Sequence, residues 1–547
     1  MSLGFTIKAK DLMGRIGTIK TKSGSLETPH MFPVLDPRLK GIRPRFIREE
    51  MGCNGVMTNA YLLWKHLDHE GDGGKPPLIH EYLDFDGVVA TDSGAYQILQ
   101  YGDVEVEPGE IVRFQNEIST DIGVILDVPT GLTHNRLEAE YTVKETLRRA
   151  DESLKLTDPE ILWIGPIQGG LFKDLLALSA SEMALRPFQI YGLGSPTQIM
   201  ERYLFDKLVD MVVLVRRLIP GDRPLHIFGA GHPMTFPLIV ACGADTFDSA
   251  AYAIYARDER YMTAEGSLEL SRIEYFPCSC RQCVKHTPGE LRGLDLDERK
   301  EILAEHNLWV CLQEIKRIKE AISEGRLWEL VHTRSMSHPA LHRAFRRMRK
   351  YSRLLERSSP ITKRRGLSVF TYMDYHRPEV VRHVDRLFSR CIGSDGSSML
   401  FMLPHPIHLE GSNVSEMLIR FKNRLRDMTG AEILYYGHPY GVIPVELEDV
   451  YPLGQTEVSA PVDGESREFV SKIIKRFLIT HLRRAHISRI VMILEPSLVS
   501  ENLTEDLKTE AYKRGCEIRV EDLSMQSLRR ALGSLGSMVK EGFGSPH

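Results

Sequence analysis

Residues 88–97 read Val-Val-Ala-Thr-Asp-Ser-Gly-Ala-Tyr-Gln, a short β-branched and apolar run that ends on an acid and then a glycine. β-Branched residues favour a half-buried or buried strand, and the polar and glycine residues after it mark a turn. Asp92 therefore falls at the carboxyl end of a strand. Working outward, runs of the same kind are expected at Met31–Leu35, Gly55–Thr58, Val124–Leu126, Leu162–Ile167, Gln189–Leu193, Leu225–Phe228 and Asp245–Phe247. Helical periodicity predicts helices between many of them, for example over Arg45–Met51, Pro108–Ile118, Arg136–Ala150 and Thr197–Leu218. Strands alternating with helices call for a parallel sheet. About eight such units in roughly 260 residues match an α/β fold of the (β/α)8 TIM-barrel type. A doubly wound sheet is the alternative, because periodicity does not report closure.

The residues at the strand ends favour the barrel. Asp92, Asp127, Gln168, Gly194, Gly229 and Asp248 all lie at or just past the carboxyl ends of these runs. In a barrel that face is where active sites are built. Any one of these polar residues could merely cap the next helix, but so many at equivalent positions point to a clustered site.

Beyond the last of these strands stands Cys278-Ser-Cys280-Arg-Gln-Cys283, with His306 on a charged helical stretch expected over Asp297–Arg326. Three thiolates and an imidazole suit a closed tetrahedral zinc site with no position left for water, which staples structure and leaves the chemistry elsewhere. His286 is nearer in sequence but precedes Thr-Pro and is expected to stay in a loop, so His306 is preferred as the fourth ligand. Cys53, Cys242, Cys311, Cys391 and Cys516 are scattered and read as buried thiols.

With 547 residues and 42% apolar content the chain can bury several cores. We expect a catalytic barrel over 1–340 with a zinc-binding insertion at 276–310, then a basic helix and linker at 341–366. One or two small C-terminal α/β domains follow, divided as 367–462 and 463–547 with a break at Asp463-Gly-Glu-Ser-Arg and a glycine-rich tail. A net charge of −4 excludes nothing by itself. Neither a signal peptide nor an apolar run long enough for a membrane span is evident, so a cytoplasmic protein is expected. The charge is unevenly spread. Arg343, Arg346, Arg347, Arg349, Lys350, Arg353, Arg357, Lys363, Arg364 and Arg365 occur with Glu356 as the single acid among them. That segment is expected to contact an RNA backbone. A second basic stretch, Lys472, Lys475, Arg476, Arg483, Arg484 and Arg489, is a weaker candidate.

With these pieces placed, the chain resembles the tRNA-guanine transglycosylase family, in its archaeal form. The matching segments are Thr-Asp-Ser-Gly-Ala-Tyr-Gln at 91–97, Leu-Asp-Val-Pro-Thr at 126–130 and Gly-Pro-Ile-Gln-Gly-Gly at 165–170. Gly-Leu-Gly-Ser at 192–195, Phe-Gly-Ala-Gly-His-Pro at 228–233, Phe-Asp-Ser-Ala at 247–250 and the cysteine cluster follow in the family's order. The resemblance implies replacement of guanine at position 15 in the tRNA D-loop by 7-cyano-7-deazaguanine (preQ0), the entry step of archaeosine biosynthesis. Its partners would be tRNA and the free 7-deazaguanine base. It further implies a homodimer formed through the zinc region. No β-barrel of the PUA type is legible at the C-terminus, so a separately encoded PUA-type RNA-binding subunit is entertained.

By resemblance Asp248 is the nucleophile that holds the RNA covalently, and Asp92 protonates the departing guanine and deprotonates the incoming base. The sequence leaves the reverse assignment of these two aspartates open. Double displacement by two carboxylates is the logic of retaining glycosidases. For the base, Asp127 can accept from ring and amino N–H groups, and Gln168 can donate to a carbonyl edge. Backbone amides at Gly169, Gly194 and Ser195 can approach closely, Ser93 beside Asp92 joins the base-binding set, and Tyr96 or Phe228 could stack on the flipped base. Three alternatives are carried. An archaeosine-synthase-like paralogue and a non-catalytic tRNA-binding partner are both disfavoured by retention of Asp92 and Asp248. The third is queuine-type exchange using an aminomethyl base.

Overall fold

A computed structural model describes residues 4–38, 40–70, 75–95, 106–390, 399–409, 412–426, 431–459, 462–483, 487–524, 526–528 and 530. The chain forms two compact units, one of residues 1–350 and 358–360, the other of 351–357 and 361–547.

The first unit begins with an antiparallel sheet of β1 (Phe5–Asp11), β2 (Gly14–Lys20) and β3 (Ser25–Thr28). The barrel strands follow in chain order. They are β4 (His30–Leu35), β5 (Gly55–Asn59), β6 (Val88–Asp92), β7 (Ile122–Val124), β8 (Leu162–Ile167), β9 (Ile190–Leu193), β10 (Leu225–Ile227) and β11 (Thr246–Ser249). All are parallel, and β11 pairs back onto β4 with Phe247 opposite Met31, which closes the barrel. The doubly wound alternative is thereby excluded. Each expected barrel strand exists, but β7 lies two residues earlier than the apolar run Val124–Leu126 suggested. The helix expected over Thr197–Leu218 is broken into Thr197–Glu201 and Phe205–Leu218. Tyr203 between them has a left-handed backbone (φ 56°).

Side chains alternate along a strand, so every second residue points into the barrel. Phe32, Met57, Val88, Ala90, Ile122, Val124, Leu162, Ile164 and Ile190 fill that interior as one apolar cluster, joined by Ile19 and Leu26 of β2 and β3. The small sheet thus plugs the amino-terminal mouth. Arg15 on β2 pins it there: its Nε donates to Asp245 Oδ1 at 2.8 Å, while Asp245 Oδ2 accepts from the Leu225 amide at 2.8 Å. With one mouth plugged and the middle packed, open space remains at the carboxyl mouth. Past β11, the chain forms the hairpin β12 (Arg260–Met262) and β13 (Ser267–Glu269) and then a 29-residue helix, Leu296–Glu324.

The second unit contains β14 (Leu367–Val369), β15 (Met399–Pro404), β16 (Ala431–Gly437), β17 (Gly441–Pro444), β18 (Thr456–Val458), β19 (Arg489–Leu494) and β20 (Glu517–Asp522). One sheet runs in the order β17-β16-β15-β19-β20, all parallel except β17, with an apolar core on each face. The break expected near Asp463 is corrected by this sheet. β15 pairs with β16 on one side and with β19 on the other, so strands from both sides of residue 463 share one core. Asp463 instead caps the helix Gly464–His481, its side chain accepting from the Ser466 amide. The glycine-rich tail lies outside the described residues, as do Tyr96, Cys391 and Arg484.

Candidate active site and metal centre

The same two-residue period that fills the barrel sets its upper rim. Val88 and Ala90 point inward from β6, so Asp92, two residues on, also points inward but above the apolar layers. Asn59 after Met57, Gln168 after Ile164 and Pro166, and Asp248 after Thr246 follow the same rule. These side chains line one cavity of about 810 Å³ together with Val34, Asp127, Gly194, Ser195, Phe228 and Gly229.

Asp92 is half-buried at the cavity wall. Asn59 Nδ2 donates to its Oδ2 at 3.1 Å and the Gly94 amide reaches the same oxygen at 3.3 Å. Burial pushes its carboxyl up to about 7, and the negative charges of Asp248 and Asp127 add to the shift. Asp248 is placed differently. Its Oδ1 accepts from the Gly229 amide at 2.8 Å and lies 3.2 Å from His226 Nε2. Gly229 needs its left-handed backbone (φ 62°) to present that amide, and a Cβ there would meet Thr197 Oγ1 at 2.4 Å.

Asp127 and Gln168 form a second pair. Gln168 Nε2 donates to Asp127 Oδ2 at 2.5 Å, while Gln168 Oε1 accepts from the Thr130 amide at 3.0 Å and from Ser195 Oγ at 2.9 Å. These acceptor and donor roles fix which way the amide faces. Burial raises the Asp127 carboxyl to about 6 against the lowering effect of Gln168. Gly194 makes room for this arrangement: a Cβ there would lie 2.0 Å from Gln168 Nε2. The Phe228 ring rests over Gly192, where a Cβ would meet it at 2.4 Å.

Two expectations fail at this level. The Gly169 amide donates to Thr130 Oγ1 at 2.9 Å, so it braces the loop below the cavity and is not among the groups that face it. Ser93 is also behind the wall, fully buried, since its position alternates away from the inward face of β6. Tyr96 lies outside the described residues. Conversely, Asn59, Thr130 and His226 escaped the sequence reading. Asn59 and His226 sit in apolar strands and Thr130 in the loop after β7, and the one signal was that Asn59 and His226 share the inward parity of the aspartates.

Beyond the barrel, Cys278, Cys280, Cys283 and His306 converge, their ligand atoms all within 4.8 Å of one another. His306, buried on the long helix, donates from Nε2 to the Met262 carbonyl at 2.9 Å. That bond turns Nδ1 toward the sulfurs, 3.4 Å from Cys280 Sγ and 3.3 Å from Cys283 Sγ. A metal-ligating histidine needs such an acceptor on its far nitrogen to fix its tautomer and ring plane. Tyr261 stacks on the imidazole with ring centres 3.7 Å apart. Among the described residues no cysteine is in a disulfide. The cluster can hold a metal ion; His286 takes no part in it.

The basic segments separate on inspection. The helix Pro339–Met348 buries Leu341, Ala344, Phe345 and Met348 and turns Arg343 and Arg346 to solvent. Arg347 instead clamps buried Asp210 through two bonds of 2.8 and 2.7 Å. Lys363 is buried against Glu379, and Arg353 lies 3.7 Å from Asp385. In the second stretch Lys472 pairs with Glu468, Lys475 with Asp506 and Arg489 with Glu517, while Arg476 lies over the Phe388 ring. Acids distant in sequence thus neutralise much of what reads as free charge.

A closed (β/α)8 barrel with two inward-facing acids on its carboxyl mouth and a Cys3His cluster past its last barrel strand has the frame of a barrel enzyme. A family profile described as queuine tRNA-ribosyltransferase matches residues 11–340. The tRNA-guanine(15) transglycosylase of Thermococcus kodakarensis is 44% identical over 476 residues, 86% of this chain and 75% of that protein. Those of Pyrobaculum aerophilum and Sulfolobus acidocaldarius are 40% and 38% identical over 470 and 480 residues. These matches take in 85% and 87% of this chain, and 91% and 92% of the relatives. The chain belongs to the queuine tRNA-ribosyltransferase family, with archaeal tRNA-guanine(15) transglycosylases among its relatives. Among the described residues no helix is long and apolar enough to cross a membrane.

Proposed function

We propose that the protein exchanges guanine 15 of tRNA for 7-cyano-7-deazaguanine through a ribosyl-aspartate intermediate. The observation that carries this reading is the unequal setting of two carboxylates on one cavity. Asp92, held near 7 by burial and neighbouring charge, can both give and take a proton at neutral pH. Asp248 has one oxygen fixed by its hydrogen-bond donors, which leaves Oδ2 to attack. In the forward half, Asp248 Oδ2 bonds to ribose C1′ as the C1′–N9 bond breaks. The bonding electrons leave with guanine, and Asp92 supplies the proton that neutralises it. In the second half the incoming base loses its N9 proton to Asp92, N9 bonds to C1′ and the Asp248 carboxylate is released.

The target guanosine must leave the tRNA stack to reach this cavity. Asp127 accepts from the base N1–H and amino group, Gln168 donates its remaining Nε2 proton to the carbonyl edge, and Phe228 stacks on the ring. The amides at Gly194 and Ser195 complete the pocket. Exposed Arg343 and Arg346 hold the RNA backbone. Cys278, Cys280, Cys283 and His306 would hold zinc with all four ligands from protein, so the ion would support structure and leave the chemistry to the aspartates. The protein acts as a homodimer in the cytoplasm. Support for the dimer comes from Tyr275 and Val284, apolar side chains beside the cysteines that are 86% and 73% exposed.

The test is to incubate unmodified tRNA with 7-cyano-7-deazaguanine, the aminomethyl base or labelled guanine, and to weigh the nucleosides. Incorporation of the nitrile base at position 15 is expected. Incorporation of the aminomethyl base alone would favour queuine-type exchange, and none at all would leave a binding partner. Asp248→Asn is expected to abolish a denaturation-resistant tRNA adduct; an adduct that persists moves the nucleophile to Asp92.

A further inference from the structure

The Asp248 carboxylate does not stand alone on its strand. His226, fully buried on β10, lies between two side chains of β11: its Nδ1 is 3.0 Å from Thr246 Oγ1 and its Nε2 is 3.2 Å from Asp248 Oδ1. Parallel pairing sets this up, because His226 is opposite Thr246 in the ladder and Asp248 follows two residues later on the same inward face. Phe228 packs edge-on against the imidazole, with ring centres 4.7 Å apart, and fixes its plane. A carboxylate only accepts, so the proton on the Asp248 side belongs to Nε2, and Nδ1 is left to accept from the Thr246 hydroxyl. A hydroxyl, a ring and a carboxylate thus form one directed chain.

We propose that His226, locked by Thr246, is a positioning residue that sets the rotamer of Asp248 and so governs formation of the ribosyl-enzyme bond. The inference rests on Asp248 being the nucleophile. Both Nε2–H of His226 and the Gly229 amide fall on Oδ1. The carboxylate is therefore turned with Oδ2 toward the cavity and cannot rotate without breaking two bonds. Holding an attacking oxygen in its reactive orientation before substrate arrives lowers the chemical barrier, and it does so without contributing to tRNA affinity. A buried histidine with a purely structural role would show the opposite pattern, a loss of folding with chemistry intact in whatever folds.

Three variants of the full chain test this: His226→Phe, which keeps the ring volume and removes both nitrogens; His226→Gln, which keeps a donor; and Thr246→Val, which releases the ring from its lock. The readouts are single-turnover formation of the tRNA adduct, KM for tRNA, and melting temperature. His226→Phe is expected to slow adduct formation by about 10- to 100-fold, the range given by losing one hydrogen bond to a charged group. KM for tRNA should stay within about threefold, His226→Gln should recover most of the rate, and Thr246→Val should lose about three- to tenfold. Adduct formation within twofold of wild type in His226→Phe, or a loss confined to KM, overturns the proposal. If His226→Phe does not fold, Thr246→Val and His226→Gln decide: unchanged rates in Thr246→Val overturn the proposal. A wild-type protein that forms no adduct at all refutes the Asp248 mechanism instead, which keeps the two failures apart.

Discussion

Asp92, the proposed proton carrier, has a measurable consequence of its desolvated setting beside two other acids. Its carboxyl is raised to about 7 in the folded chain, whereas an unfolded aspartate ionises near the usual value of about 3.9. Between these values the folded protein holds a proton that the unfolded chain has released. Stability therefore falls as pH rises through that window, and the cost is fully present above about 7. Asp92→Asn removes the cost, so it is expected to raise the melting temperature at pH 8 and to change it little at pH 4. The gain should be about 1–4 kcal/mol, while adduct formation drops by about 10²- to 10⁴-fold. Thermal melts of both proteins across pH 4–8 check this; a gain independent of pH would mean that the carboxyl ionises normally. Gly194 offers a second handle. Alanine there would press a Cβ onto Gln168 Nε2, the movable end of a side chain. Gly194→Ala should consequently fold, break the Gln168–Asp127 bond and raise KM for the free base about tenfold or more. The aspartates were legible because acids after an apolar run are rare enough to notice. His226 was not, because a histidine flanked by Leu225 and Ile227 reads as strand interior until the pairing places it opposite Thr246.

At the scale of elements, the alternation of strands and helices was plain in the sequence and closure was not, since only the β11–β4 pairing decides it. The plug sheet of β1, β2 and β3 escaped because antiparallel hairpins interrupt no βα rhythm and their alternation is half polar. β7 was misplaced since apolar Ile125 and Leu126 continue beyond the ladder. The second unit was over-divided for a related reason: Asp463 is a helix cap, and a cap resembles a linker when the partner strand is far away in sequence. The Cys3His cluster, by contrast, was readable from spacing, with only the reach of the long helix needed to choose His306. It ties that helix to the segment after β13, where each short piece has little core of its own. Cys280→Ser is expected to release the ion and lower the melting temperature by about 5 °C or more. Metal analysis and melting with and without a chelator test this, and unchanged metal content would refute the ligand set.

For the molecule as a whole, the net charge of −4 has to be reconciled with a polyanionic partner. Its distribution does so. Basic side chains matched to acids, as Lys475 is to Asp506 and Arg489 to Glu517, present no net field to RNA. Arg343 and Arg346 project from a helix whose other face is buried, and they make no ion pair among the described residues. Only such uncompensated charges release counterions when a phosphate replaces the solvent, and each such contact steepens the salt dependence of binding by roughly 0.7–0.9 in log–log slope. The double variant Arg343→Gln, Arg346→Gln should therefore weaken tRNA binding about 10-fold at low salt and flatten the slope by about 1.5. Lys475→Gln with Arg489→Gln should leave both within error, although it removes the same formal charge. Filter binding of tRNA from about 50 to 300 mM salt distinguishes the two. Equal effects from both pairs would mean that the protein meets RNA through its overall charge, and the helix at Pro339–Met348 would lose its claim to the interface.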